Sequence, residues 1–344
     1  MPITDFDVAY LNERMRGEVY DQIIRESVLL RYMRKWERIK FKSGGVEGVD
    51  MYVRFQQSAR GAKAITPFTV LEGKTINDTK KLTVPWAVYS DAISTSEILE
   101  ARARNAKDAD TNFNWIINQT NSFLQAFQET LAGDLYTGDG TPNTSRGDFA
   151  DTVLGLSEWV DDNNTILGED RSAAGSYFAA IVKACTDPTG DTQLSGEPNM
   201  FVDMRDAWDD ASVGSQTGKD VNKTTATGRS EPDATICDKA SKQLYENLLG
   251  SRMRIMAQGA DASYETITFQ HKPLDWDPFC PSGKMFMLKK DTWMVHTVED
   301  DEQLVRAYAE DKSTVVKSIQ YVSQILLKCK RPSNNARVDV TLPS

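Results

Sequence analysis

Along residues 106–132, Phe113, Ile116, Ile117, Phe123, Leu124, Phe127 and Leu131 recur at steps of three and four, with Thr120 on the same stripe. The spacing predicts a helix roughly 40 Å long at 1.5 Å per residue. Asp108 and Asp110 fall in its first turns, where carboxylates offset the positive end of the helix dipole, and Gly133 is the expected stop. A helix of this length with one apolar face reads as a spine, with a sheet on one side and a partner or solvent on the other. A second amphipathic helix is predicted within residues 5–42, with Tyr20, Ile23, Ile24, Val28, Leu30 and Met33 inward. Its end turns basic through Arg31, Arg34, Lys35, Arg38, Lys40 and Lys42, and Gly44-Gly45 closes it. That polar side is a solvated face or an arm reaching a neighbouring subunit or an anionic partner.

Strict alternation then predicts two strands. In the first, Val49, Met51, Val53 and Phe55 oppose Asp50, Tyr52, Arg54 and Gln56; the second carries Leu82, Val84, Trp86 and Val88. The excursion between them holds Gly61, Pro67 and Gly73 with Arg60, Lys63, Lys74, Lys80 and Lys81. Hairpin loops normally have two to five residues, so this length calls for a partner surface, and its basic tip for an acidic one. After the spine, Leu135-Tyr136-Thr137-Gly138-Asp139-Gly140-Thr141 breaks the chain. From residue 151 to 297 short elements alternate: helices are predicted at 171–185 and 239–249, a polar surface loop at 212–229 and a buried strand at 232–238. Residues 267–295 read as two strands about a Pro-rich turn. Residues 315–331 and 337–342 read as a C-terminal strand pair able to supply the sheet under the spine.

At 344 residues the chain suits about two folded units. It has no run of apolar residues long enough to span a membrane, and Met1-Pro2-Ile3-Thr4-Asp5 does not open a signal peptide. Cys185, Cys237, Cys280 and Cys329 form no close pairs and His271 and His296 stand apart, so no zinc site is expected. Buried, reduced cysteines imply a cytosolic compartment. A net charge of −10 argues against a protein whose task is to grip nucleic acid, though not against one that encloses it.

Catalytic motifs are thin. Gly214-Ser215-Gln216-Thr217-Gly218-Lys219-Asp220 is one residue short of a phosphate loop and lacks its magnesium-holding hydroxyl. Asp275, Asp277 and Glu265 are candidates for a metal or acid–base site, but their Pro-rich turn favours structural capping. His271 and His296, each in a strand-like stretch, are the available bases for a Ser or Cys nucleophile. The seven tryptophans, Trp36, Trp86, Trp115, Trp159, Trp208, Trp276 and Trp293, read as packing rather than base-stacking platforms.

The order of these elements resembles the major capsid proteins of tailed bacteriophages, the Hong Kong 97 fold. The arm, the extended hairpin with its basic tip, the spine ending in Leu-Tyr-Thr-Gly-Asp-Gly-Thr, the Pro232-Asp233 strand followed by the Tyr245 helix, and Asp277-Pro-Phe-Cys-Pro-Ser-Gly-Lys-Met-Phe-Met-Leu288 carry the resemblance. It implies an α+β chain: an N-terminal arm (1–45), an extended β-hairpin loop (46–92), a spine helix with peripheral sheet (93–150 with the C-terminal strands of 299–344), and an axial α/β domain (151–298). It implies self-assembly through hexamers and pentamers into an icosahedral shell around double-stranded DNA held without sequence-specific binding. No cofactor, metal or catalytic residue is implied. Portal and decoration proteins are further partners by the same resemblance, and because the extended loop is reached by residue 46, so is a separate scaffolding protein. In the family the long loop lies across a neighbouring subunit, which makes Arg60, Lys63 and Lys74 contact candidates for Glu299, Asp300, Asp301 and Glu302. Relatives that weld subunits by a Lys–Asn bond place the Asn before the long C-terminal strand; residues 307–314 contain none. An encapsulin-like compartment shares the fold and is the nearer rival, and a soluble metal-dependent enzyme the more distant one.

Overall fold

The computed structural model describes residues 27–42, 48–54, 79–96, 125–127, 129–143, 149–162, 165–171, 178–190, 197–213, 231–253, 267–298, 306–307 and 316–342. In chain order these form helix α1 (Val28–Lys35) and strands β1 (Ile39–Lys42), β2 (Gly48–Arg54), β3 (Thr79–Pro85) and β4 (Ala87–Ser96). Helix α2, described over 125–127 and 129–137, is followed by β5 (Pro142–Asn143), β6 (Phe149–Ala150), β7 (Thr165–Ile166), β8 (Glu169–Asp170) and β9 (Ile181–Cys185). Then come α3 (Asn199–Val213), β10 (Ala234–Cys237), α4 (Lys239–Met253), β11 (Thr268–Phe269), β12 (Lys272–Trp276) and β13 (Lys284–Leu288). The chain closes with β14 (Trp293–Val298), β15 (Arg306–Ala307), β16 (Val316–Cys329) and β17 (Ala336–Val340). Two units result: Met1–Gly48 with Pro85–Leu156 and Met294–Leu327, and Val49–Val84 with Ser157–Trp293 and Lys328–Ser344.

The first unit is built on a sheet in the order β1-β14-β16-β4-β6-β5, with β15 on β16. The predicted long C-terminal strand is β16, which runs antiparallel to β4 from Val316↔Ser96 to Ile325↔Ala87. The spine helix α2 meets this sheet at Tyr89, whose ring stands edge-on to Phe127 with centroids 6.0 Å apart. The Tyr89 hydroxyl donates to Asp134 at 2.8 Å and accepts from the Val153 N–H at 3.0 Å. Burial raises both the Tyr89 and Asp134 pKa values, so the phenol stays a donor at neutral pH.

Three expectations need correction here. The helix does not stop at Gly133 but runs to Thr137, because Leu135 and Tyr136, both fully buried, prolong the apolar stripe of Phe127 and Leu131. The helix foreseen across residues 5–42 ends at Lys35. Glu37 takes a left-handed conformation (φ 56°), Arg38 N–H donates to Met33 O and Glu37 N–H to Arg34 O, a Schellman stop. Residues 39–42 then pair as a parallel strand, Ile39↔Val295. The strand foreseen from Leu82 through Val88 is two strands, β3 and β4. After buried Leu82, Val84 and Trp86 the alternation slips by one, with Ala87 and Tyr89 buried and Val88 only half-buried.

The second unit holds a sheet in the order β11-β12-β10-β13-β17-β9. Its core packs Met200, Met204, Ala207, Trp208 and Ala211 of α3 with Tyr245 of α4 and Met285, Met287, Val338 and Ile181 of the strands. Aromatic edges lock this layer: Phe201 to Tyr245 at 5.3 Å, Trp208 to Phe269 at 5.5 Å, and Tyr245 to Phe269 at 6.3 Å. Buried Arg171 donates to the carbonyls of Trp159 (3.0 Å) and Glu158, and Arg337 donates to that of Val160 (3.0 Å), so two guanidiniums brace residues 157–162.

Several sequence readings fail here for non-local reasons. Residues 181–185 were expected to be helical, but they form β9, parallel to β17 from Ile181↔Ala336 to Val340↔Cys185. Helix α3 was not foreseen, and it absorbs Ser212 from the predicted loop, whose residues 214–229 lie outside the described residues. The strands β12 and β13 do not form a hairpin about the Pro-rich turn, because β10 lies between them, parallel to one and antiparallel to the other. The two C-terminal strands do not pair with each other: β16 belongs to the first unit's sheet and β17 to the second's. The buried strand at 232–238 and the helix from Lys239 are found as predicted.

Candidate assembly surfaces

The base of the long excursion is a two-stranded ribbon of β2 and β3. Val49, Met51 and Val53 with Leu82 and Val84 are buried, as their alternation requires. The opposite face is polar: Lys81 pairs with Asp50 at 2.8 Å and the Thr83 hydroxyl donates to the same carboxylate at 2.7 Å. Beside them Tyr52 is 74% exposed, against 41% for Trp276. Lys80 pairs with Glu169 of β8 in the same unit. Two of the loop's basic residues therefore meet carboxylates of their own chain. Sequence reasoning did not foresee this link, since Glu169 lies far along the chain in a two-residue strand with no periodic signal.

Arg60, Lys63, Lys74, Glu299, Asp300, Asp301 and Glu302, the contact candidates from the sequence, lie outside the described residues. So do Glu265, Trp115 and the phosphate-loop-like stretch from Gly214.

The Leu-Tyr-Thr-Gly-Asp-Gly-Thr motif has a clear structural use. Gly138 N–H donates to Asp134 O at 2.8 Å, and Gly155 N–H to Gly138 O at 2.8 Å, which brings two backbones together. Gly140 (φ 61°) packs on Leu154. Asp139 accepts from the Thr141 N–H (3.1 Å), the Thr141 hydroxyl (2.8 Å) and the Thr152 hydroxyl (2.9 Å), bonds that hold its carboxyl below the usual range.

The catalytic candidates are placed in structural roles. Asp277, buried, accepts from the Phe279 N–H at 3.0 Å and its carbonyl from Cys280 N–H, forming the turn after β12. Asp275 sits in β12, paired with Ile236. His271 is not in a strand as expected: Gln270 and His271 both have positive φ (51° and 63°) and make the two-residue turn between β11 and β12. His296 is in β14 and buried. The four cysteines are free and buried; burial holds the Cys185 and Cys329 thiols at about 12 and raises those of Cys237 and Cys280. Among the described residues no three of His, Cys, Asp and Glu gather as a metal site, and no helix is long and apolar enough to cross a membrane. Trp86, Trp159, Trp208 and Trp293 are core residues.

A polar centre that the sequence did not reveal lies at Asn335, which is fully buried. Its Oδ1 accepts from the Lys289 N–H at 2.8 Å and the Trp293 Nε1–H at 2.8 Å; its Nδ2 donates to Arg331 O at 3.1 Å and to the Thr292 hydroxyl at 3.1 Å. The amide is thereby committed to holding the β13–β14 turn and the start of β17.

No family model matches the chain, and no curated protein matches it in sequence. Solved structures do match in fold. A chain of the cyanophage A-1(L) capsid asymmetric unit superposes with a TM-score of 0.60 over 88% of this chain and 90% of that one, at 12% identity. The capsid of a native GTA particle gives 0.58, covering 90% and 89%, at 11% identity. The holo-SrpI encapsulin complex from Synechococcus elongatus PCC 7942 gives 0.51, covering 91% and 89%, at 13% identity. The chain has the α+β fold of tailed-phage capsid shells, the Hong Kong 97-type fold that the order of its sequence elements resembles.

Proposed function

We propose that this chain is the major capsid protein of a tailed bacteriophage, closing through hexamers and pentamers into an icosahedral shell around double-stranded DNA. The observation that carries the reading is the superposition on a capsid chain over nine-tenths of both molecules. Its role on this reading is structural, its principal partner a second copy of itself, and its place the virion. The encapsulin likeness has the lower TM-score, which favours the phage shell over a cargo compartment. Particle content decides between them: duplex DNA in particles made beside portal and scaffolding proteins supports the proposal, and a single protein cargo without nucleic acid rejects it.

On this reading residues 1–45 are an arm, 46–92 an extended loop, 93–150 with the C-terminal strands of 299–344 the peripheral part and 151–298 the axial part, except that β14 joins the first unit's sheet and β17 the second's. Arg60, Lys63 and Lys74 meet Glu299, Asp300, Asp301 and Glu302 of a neighbouring copy. Each exposed pair adds about 0.2–1 kcal/mol, so together they set register and salt sensitivity rather than raw affinity. Reversing Lys63 and Lys74 together (K63E with K74E) should lower particle yield at low salt. An unchanged yield there, measured by sedimentation, refutes the pairing.

A further inference from the structure

Two short 3₁₀ turns of the second unit, Lys290–Thr292 and Pro332–Asn334, are pinned to one another although they lie far apart in sequence. The Lys330 N–H donates to the Thr292 carbonyl at 2.8 Å. The buried Asn335 amide ties the Lys289 N–H (2.8 Å) to the Arg331 carbonyl (3.1 Å). This backbone framework brings Lys290, Lys330 and Arg331 to one place, and all three are exposed. Their charges are not spent within the chain. Asp233 is taken by the Lys289 ammonium at 3.2 Å and by the Lys290 N–H at 3.0 Å. Asp291 stands on the first turn, yet among the described residues no carboxylate forms an ion pair with Lys290, Lys330 or Arg331. In a protein with 50 acidic and 40 basic residues, three cations set together without an acid leave an unmet demand for an anion.

From this we infer that Lys290, Lys330 and Arg331 form a contact for the phosphate backbone of duplex DNA. Two features select that partner. The patch sets a planar guanidinium, which matches phosphate oxygens in a bidentate fork, beside two ammonium groups. It also offers no apolar anchor, because Leu288, Trp293 and Pro332, the large apolar residues of these turns, are buried. A protein interface of useful affinity centres on an aromatic or aliphatic group that the partner covers, whereas a polyanion needs charge alone. The contact is to backbone, so it carries no sequence preference. Three phosphate contacts let DNA lie against the chain rather than be gripped by it, in keeping with the net charge of −10. The inference rests on the coat-protein reading only for the source of the DNA.

The test makes Lys290→Gln, Lys330→Gln and Arg331→Gln together in the full chain. Lys183→Gln, which removes a cation already paired with Asp210 at 3.0 Å, is the control. Two duplexes of different random sequence are titrated against each protein by fluorescence anisotropy across a salt series, while light scattering follows shell formation. The parent should bind both duplexes alike. The triple variant's slope of log K against log salt should be shallower by about 2.7, roughly 0.9 for each lost phosphate contact, and the control's should match the parent's. The melting temperature of the triple variant should stay with the parent's, and shells should form as before. An unchanged slope, a parent that binds no duplex at low salt, or unequal binding of the two duplexes overturns the inference. So does a control that loses as much slope per charge, which would make the effect one of net charge. A variant that keeps its DNA affinity and loses shells also overturns it and makes the patch a contact between copies. Slope loss in a chain that never forms shells leaves the DNA contact standing and removes the coat-protein reading.

Discussion

Gly155→Ala should destabilise the protein by about 3–4 kcal/mol, lowering the first thermal transition by roughly 10 °C. A Cβ at this position falls 2.7 Å from the Asp134 carbonyl oxygen, 2.9 Å from the Gly138 nitrogen and 2.9 Å from the Tyr136 carbonyl carbon. All three are backbone atoms at the end of the spine helix, so no side chain can swing aside. Relief requires moving the chain end that holds the Gly155 N–H to Gly138 O bond. The internal control is Gly133→Ala. Its Cβ meets nothing within 4 Å and the residue is helical, so this change should raise stability by about 0.5–1 kcal/mol. Calorimetry of the two variants reads both signs at once. A Gly155→Ala protein melting within about 1 °C of the parent would show that the close approach is not there.

Asn335→Leu should lose about 4 kcal/mol in denaturant unfolding. The change keeps a similar volume but strands two buried donors, the Lys289 N–H and the Trp293 indole N–H, which both lie 2.8 Å from the amide oxygen. Each unpaired buried donor costs about 1–3 kcal/mol, and the Arg331 carbonyl also loses a partner. The cost arises because the group is fully enclosed, where water does not replace the lost acceptor. A loss below about 1 kcal/mol would mean that these donors find other partners.

What could be read from residues alone followed how local each signal is. The ribbon of β2 and β3 was legible because one face is buried and the other wet, which writes a period of two into Val49, Met51 and Val53. The strand β16 and the helix α4 were legible from their length and pattern. The stripe of α3, Met200, Met204, Trp208 and Ala211, is present in the sequence with Asp203, Asp206, Asp209 and Asp210 on the other face, an amphipathic period that the reading from residues passed over. Ala179, Ala180 and Ala184 made β9 read as helix; its pairing with β17 overrides that propensity. Placement of β10 between β12 and β13 is a long-range choice with no local trace. The turn at Gln270-His271 lacks the Gly or Asn that announces a left-handed turn.

Of the candidate site, the sequence identified the charge on the loop and the arm, but not which charges their own chain already engages. Lys80 and Lys81 look like Lys63 and Lys74 in sequence. Only the fold shows that Glu169 and Asp50 stand beside the first two. Asn335 was invisible for a related reason, since its partners Lys289 and Trp293 lie 46 and 42 residues away.

The central claim is that this chain builds a closed shell. Light scattering with negative-stain imaging of the purified protein, alone and together with the proteins encoded beside it, tests it most directly. Closed particles, or rings of five and six on the way to them, are the expected result. A compact monomer under every condition would contradict the account.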